Sequence, residues 1–458
     1  MLTLSLLLTL ALPAQDWPRF RGPNGAGTSD GKPLPVKFSP TENMAWKAVV
    51  PFGQSSPIVA AGRVFVTAKE NGKLVTIAHD AASGRQLWRK ELAPRHSHEI
   101  YRSNDPASAT PAAAGNSIYV FFPDFGLVSY ALDGKERWRH PLGPFQSFYG
   151  MASSPIVAGD LVILICDQTR GSFLLALDKN TGKQRWRTER REHKEGWSVP
   201  IVHDGQLIAI GSTRLDSYHL TTGESRWWMP LSSNGAMGTP LIHGDKLVLS
   251  TDGSNEPWLP GFAAVLEKLD KNHDRKVSAE EAKNEKDWFE HFGWVDRNDD
   301  KLLEDAEWNE ARNLGVGQFG AFSVSLNGKG KLEPSAAHWR FQRNIPYIPA
   351  PLLYNNTFFM VKSGGIVTAL DPATGKLLKQ GRSQAAPGDY FASPVAGDGK
   401  IFMVSNEGKL SVLKAAPEWE VLSVNDLGEE TFATPAIADG RLFVRTRGSL
   451  YCFSTERK

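Results

Sequence analysis

The sequence predicts an all-β fold: an eight-bladed β-propeller of four-stranded antiparallel blades, carrying a small α-helical EF-hand insertion. Three observations predict it. A four-strand unit recurs along most of the chain, a proline marks the start of each copy, and one copy is interrupted by two calcium-loop-like runs.

The unit is clearest at Ser154–Glu189, SPIVAGDLVILICDQTRGSFLLALDKNTGKQRWRTE. Its runs Ser154–Ala158, Leu161–Cys166, Ser172–Leu177 and Lys183–Glu189 are rich in Val, Ile, Leu and Phe, and turn residues separate them, as in a meander. Pro155 stands at the first strand's start, where a missing N–H costs least. Gly159-Asp160 gives a tight turn. In Asp178–Gly182 the Asp side chain can cap backbone N–H groups and the Gly can take positive φ.

One such sheet has two apolar faces and two open edges, so it needs neighbours. The marking prolines are Pro57, Pro111, Pro155, Pro200, Pro240, Pro351, Pro394 and Pro435. Seven intervals separate them; six are 40 to 54 residues and one is 111. Four strands repeating every ~40–50 residues is a blade period, and closure of the ring buries the faces.

A second pattern, A-x-D-x-x-x-G-x-x-x-W, runs through Ala78, Asp80, Gly84, Trp88 and through Ala176, Asp178, Gly182, Trp186. Ala131–Gly134 with Trp138 is a shortened copy. His219, Gly223, Trp227 is a variant, and Ala369, Asp371, Gly375 has Lys379 in place of the Trp. This resembles the tryptophan-docking motif of the quinoprotein (PQQ-like) eight-bladed propellers, which include bacterial alcohol dehydrogenases and the propeller lipoprotein of outer-membrane protein assembly. The resemblance implies fold more than function.

The ends are expected to meet. Ser449–Ser454 ends the chain as a third strand with no fourth behind it, and Met44–Val50 can supply that fourth strand and remove an open edge. Asp16–Thr28, DWPRFRGPNGAGT, reads as an irregular segment laid over the propeller surface. The long loop Ala93–Ala109 holds His96 and His98, which without a third ligand read as a packed or solvated loop and not a metal site.

Residues 1–14 read as a secretory signal peptide: Leu2–Leu12 is too short to span a bilayer, and cleavage is expected after Ala14, although Leu12 is a poor −3 residue and the start lacks Lys or Arg. The expected location is periplasmic or secreted, in a bacterium, with no transmembrane segment. Lys+Arg number 52 against Asp+Glu 50, a net charge of +2, which gives no case for nucleic acid. The two cysteines, Cys166 and Cys452, fall in different blades and read as small buried hydrophobes.

The 111-residue interval between Pro240 and Pro351 divides the chain into propeller 15–253, insertion 254–316 and propeller 317–458. Two runs in the insertion place oxygen side chains at positions 1, 3, 5 and 12, the EF-hand calcium spacing. Asp270, Asn272, Asp274 and Glu281 form the first set, with the Lys276 carbonyl at position 7 and Ser278 at position 9. Asp296, Asn298, Asp300 and Glu307 form the second, with the Leu302 carbonyl and Glu304. Phe262, Val265, Leu266 and Leu269 make a helical stripe before the first run; Trp288, Phe289, Phe292 and Val295 make one before the second. Val277 and Leu303 hold position 8, where paired EF-hands join by a short β contact. The glycine expected at position 6 is replaced by Arg275 and Lys301, which predicts weak binding, in the ~10⁻⁴–10⁻³ M range of extracellular modules. Ca²⁺ is therefore the expected cofactor.

The favoured function is a secreted, non-enzymatic scaffold that holds a protein partner on a propeller face. The alternative is a PQQ-dependent quinoprotein dehydrogenase. That family has a vicinal Cys–Cys disulfide over its cofactor, and this chain has no adjacent cysteines. A hydrolase has no G-x-S-x-G motif to support it.

Overall fold

The computed structural model describes residues 16–455 apart from residue 30, residues 98–99 and 101–103, and residues 286–291. Residues 1–14, where a signal peptide is expected, and His98, Trp288 and Phe289 lie outside the described residues.

Eight four-stranded antiparallel sheets follow one another along the chain. Blade 3 consists of Ile156–Ala158, Leu161–Cys166, Phe173–Asp178 and Gln184–Glu189, within a residue or two of the sequence expectation. The innermost strand is short in every blade, because the proline before it has no N–H to give a ladder. Strand Leu161–Cys166 is buried at all six positions, whereas Gln184–Glu189 buries only Trp186. A central strand covered on both faces carries an unbroken apolar run; a rim strand does not.

The ring closes as expected. Met44–Val49 pairs with Ser449–Ser454 as the fourth strand of blade 8, with Trp46 opposite Cys452. The inner strand of blade 1, Ile58–Ala60, touches those of blades 2 and 8. Cys166 and Cys452 are both buried, and neither forms a disulfide. Among the described residues no helix is long and apolar enough to cross a membrane.

The tryptophan motif is an inter-blade clasp. Trp46, Trp88, Trp138, Trp186 and Trp339 lay their rings on Gly84, Gly134, Gly182, Gly223 and Gly375 of the following blade. Each indole N–H donates to a carbonyl in the same turn, as Trp138 Nε1 does to Lys179 O at 2.9 Å. Between blades 6 and 7 the parts are exchanged: Lys379 sits over the Trp419 ring and donates to its carbonyl. Gly182 has φ +69°, and a Cβ there would lie 2.6 Å from the Trp138 ring. Gly182→Val should therefore cost ~2–4 kcal/mol, combining left-handed strain with overpacking. Gly159 has φ +56° and open space around it, so Gly159→Asn should change stability by less than about 1 kcal/mol. Urea midpoints of the two variants test this contrast.

A belt of hydroxyls joins the inner strands. At five of the eight junctions the residue before the marking proline donates its N–H to the hydroxyl of its counterpart in the next blade. The bonds run Ala350→Ser393, Ser393→Thr434, Thr434→Ser56, Ser56→Thr110 and Thr110→Ser154, each 2.9–3.0 Å.

The N-terminal segment departs from expectation. It is irregular, but it fills the channel inside the inner strands instead of lying on the surface. Inner strands present unpaired edge groups to the channel, and this segment meets them in turn. Trp17 exchanges both backbone bonds with Val59, the Pro18 carbonyl accepts from Ala113 N, and the Gly27 carbonyl accepts from Ala396 N. Arg19 donates to Pro200 O. Arg21, fully buried, donates to the carbonyls of Pro351 (2.6 Å), Ala350 and Pro394. Burial pushes both guanidinium groups down to about 9, so they remain cationic at neutral pH.

Blade 5 is built from Leu241–His243, Lys246–Thr251, Gly320–Ser325 and Trp339–Phe341, and residues 252–319 leave it between its second and third strands. This excursion holds short helices, Phe262–Leu269, Ala279–Ala282, Phe292–Val295 and Asp305–Asn313, and a two-residue ribbon pairing Val277 with Leu303. Its core of Phe262, Val265, Leu269, Trp294, Val295 and Trp308 extends onto Phe148 and Tyr149 of the propeller. One element was not foreseen: Gly330–Lys331 pairs in parallel with the rim strand Ser225–Pro230, giving blade 4 a fifth strand.

Candidate functional site

On the propeller face opposite the plug, the inner-strand starts open into a cavity of about 750 Å³. Tyr149, Trp197, Met237, Tyr347, Phe391 and Phe432 form its apolar wall, and the plug presents Phe20 to it. Tyr149 meets Trp197 edge-on at 5.8 Å, and Phe391 lies 5.4 Å from Phe432. Trp197 Nε1 donates to Gly150 O at 2.7 Å, and Asn104 Nδ2 to Tyr149 O at 2.6 Å. The charged lining side chains are Asp252, Lys362 and Asp389. Burial pushes the Asp252 carboxyl up, against a bond from Asn234 Nδ2 at 2.9 Å. One amine beside two carboxylates does not suit a polyanionic quinone such as PQQ. The wall instead suits an apolar or aromatic group.

The loop carrying Trp197 is anchored by a buried polar cluster that sequence reading missed. Arg190 donates to both Asp167 oxygens at 2.7 and 2.9 Å and to Tyr218 Oη at 2.6 Å. His193 Nε2 lies 2.7 Å from Asp216 Oδ2, and Arg214 Nε donates to Asp216 Oδ1 at 2.6 Å. Burial works to raise the Asp216 carboxyl, but His193, Arg190 and Arg214 outweigh it and hold it below the usual range. The members come from strand Arg214–His219 and from the loops that follow Leu161–Cys166 and Gln184–Glu189, so no spacing rule gathers them.

The two runs in the insertion fold alike. In the first, Asp270 Oδ2 accepts from Arg275 N, Asn272 Oδ1 from Asp274 N and Asp274 Oδ1 from Lys276 N, each at 2.9 Å. In the second, Asp296 Oδ2 accepts from Lys301 N at 3.0 Å, Asn298 Oδ1 from Asp300 N at 2.8 Å and Asp300 Oδ1 from Leu302 N at 2.9 Å. Both position-6 residues adopt the left-handed backbone: φ is +66° at Arg275 and +68° at Lys301. The closing glutamates reach back across each loop, Glu281 to Lys271 N at 3.0 Å and Glu307 to Arg297 N at 2.9 Å. Ser278 lies in the ribbon in the first loop and Leu302 in the second, while Lys276 and Glu304 flank it and their side chains pair at 2.5 Å. Among the described residues no three His, Cys, Asp or Glu side chains converge as a metal site.

The loops differ in one respect. Glu281 is fully engaged: its second oxygen accepts from Ser278 N and Oγ, and these bonds hold its carboxyl below the usual range. In the second loop Asp296 is 4% exposed, and its Oδ1 has no partner; neither has the half-buried Oε2 of Glu307. Burial pushes the Glu307 carboxyl up. Two inward oxygens without donors, at positions 1 and 12, fit a hard cation.

Eight four-stranded blades, with tryptophan laid on glycine at five of the junctions, define a PQQ-like propeller repeat protein. The chain belongs to the family described as "Outer membrane protein assembly factor BamB", whose model matches residues 36–173 and 170–458. It is similar to the BamB protein of Shewanella oneidensis, with 22% identity over 384 residues, covering 79% of this chain and 85% of that protein. In fold it is similar to BamB from Moraxella catarrhalis, with TM-score 0.57 and 12% identity over 90% of this chain and 99% of the other. It is also similar to a europium-containing methanol dehydrogenase, with TM-score 0.58 and 11% identity over 96% and 98%.

Proposed function

We propose that the protein is a non-enzymatic propeller scaffold acting outside the cytoplasm, which holds a protein partner at the cavity face and carries a calcium-binding EF-hand pair. The partner reading is supported by membership of a family described by its role in outer membrane protein assembly. The aromatic cavity wall suits it, because aromatic anchors carry much of the energy of protein interfaces. The calcium reading rests on the two unpartnered oxygens of Asp296 and Glu307.

A photo-crosslinking residue at Tyr347, which is 47% exposed on the cavity lining, should capture one discrete protein in the source cell. The same residue on the blade rim at Arg185 should not. Dye-linked oxidation of alcohols or sugars with added quinone and calcium should give no turnover. Robust turnover, with no crosslink at Tyr347, would replace this reading with the quinoprotein dehydrogenase.

A further inference from the structure

Resting on the calcium reading, we infer that a cation in the second loop stiffens the cavity wall at Phe148–Gly150 by driving Arg297 onto Glu195. The two residues stand at the seam between insertion and propeller. Arg297 is 6% exposed and lies over the Trp294 ring at 5.1 Å, and its three guanidinium nitrogens have no partner. Its carbonyl accepts from Arg170 Nε, next in the chain to Thr169, whose hydroxyl meets Glu195 of the propeller; Glu195, Glu310 and Glu307 are the carboxylates whose charge it feels. Glu195 is 5% exposed; its Oε1 accepts from Phe148 N at 2.6 Å and Thr169 Oγ1 at 3.1 Å, while its Oε2 has no partner. A buried guanidinium and a buried carboxylate oxygen thus lie on the same seam, both against Thr169–Arg170, with no hydrogen bond to either, an arrangement that costs free energy until they pair. Burial pushes the Glu195 carboxyl up and the Arg297 guanidinium down, as expected of charges held out of water.

A dication between Asp296 and Glu307 changes the balance. It draws the Glu307 carboxylate to itself and repels the adjacent guanidinium, so Glu195 becomes the stronger pole for Arg297. The consequence reaches the cavity through short links. Glu195 holds the Phe148 N–H, Tyr149 is next in the chain, and Trp197 stands two residues beyond Glu195 and donates to Gly150 O. Both Tyr149 and Trp197 line the cavity.

Hydrogen exchange of the full-length protein, with and without millimolar calcium, tests this. Amides 146–151 should exchange roughly tenfold more slowly with calcium, as expected when a local opening is closed off. Arg297→Met should keep the calorimetric calcium heat of the second loop and lose the slowing. Glu195→Gln, which keeps an acceptor for Phe148 N–H but not the charge, should do the same and guards against a misfolded Arg297 variant. Calcium heat without slowing in the wild type, or slowing retained in both variants, overturns the coupling alone. Absence of calcium heat in the wild type overturns the calcium reading and the coupling with it.

Discussion

Arg21→Ala is expected to destabilise the propeller by about 3–5 kcal/mol, the range for breaking a buried charged network. The side chain is 0% exposed, and its donors end on carbonyls of blades 6 and 7 as well as on Gly25 and Ala26 within the plug. Removing it leaves those acceptors inside a channel already filled by the plug, where each unsatisfied group costs about 1–3 kcal/mol unless water enters. Arg21→Lys should recover little, because one ammonium cannot reach carbonyls that a planar fork spans. Urea unfolding followed by tryptophan fluorescence gives the number. The loss should be local before it is global, with amides of Leu352–Tyr354 and Val395–Gly397 exchanging first. A midpoint within 1 kcal/mol of wild type would mean that the plug merely occupies the channel without tying the blades.

The plug also shows where sequence reading stops. Blades are legible because each is a local unit: strand periodicity, a turn and a proline all fall within some forty residues. The blade carbonyls that Arg21 meets lie 329 to 373 residues away, so DWPRFRG displays only its turn residues and charges, which read as surface. The hydroxyl belt was readable, since Ser or Thr precedes the proline at Pro57, Pro111, Pro155, Pro394 and Pro435; the proline drew attention away from its neighbour. Gly330–Lys331 could not be read, because two residues of parallel pairing carry no pattern. At the candidate site, loop spacing located Asp296 and Glu307 but not Arg297 or Glu195, whose meeting depends on how the insertion docks. Arg190, Asp167, Asp216 and His193 likewise become a cluster only when blades 3 and 4 stack.

Calcium titration should find two unequal sites, with the second loop the tighter. In the first loop Glu281 must give up bonds from Lys271 N, Ser278 N and Ser278 Oγ before it can grip an ion. In the second, Asp296 Oδ1 and Glu307 Oε2 have nothing to give up, and both gain a partner when the ion enters. Glu307→Gln should therefore weaken the tighter site by at least the roughly 10–100-fold that loss of a mere supporting partner costs a metal centre. Glu281→Gln should affect only the weaker one. The position-6 residues bear on folding as well as on the expected weakness. A left-handed backbone at a non-glycine residue costs ~1–2 kcal/mol, and Arg275 and Lys301 hold φ +66° and +68° in the folded loops. That strain belongs to folding and not to binding. Lys301 is moreover exposed and paired with Asp299, so its charge is screened from the loop centre. Lys301→Gly should accordingly raise stability by up to about 1 kcal/mol while changing calcium affinity less than about threefold. Isothermal calorimetry on the full-length protein separates the cases. Equal affinity in wild type and Glu307→Gln, or no heat at millimolar calcium, would leave both loops as helix caps. A tenfold or greater tightening in Lys301→Gly would return the strain to the binding step.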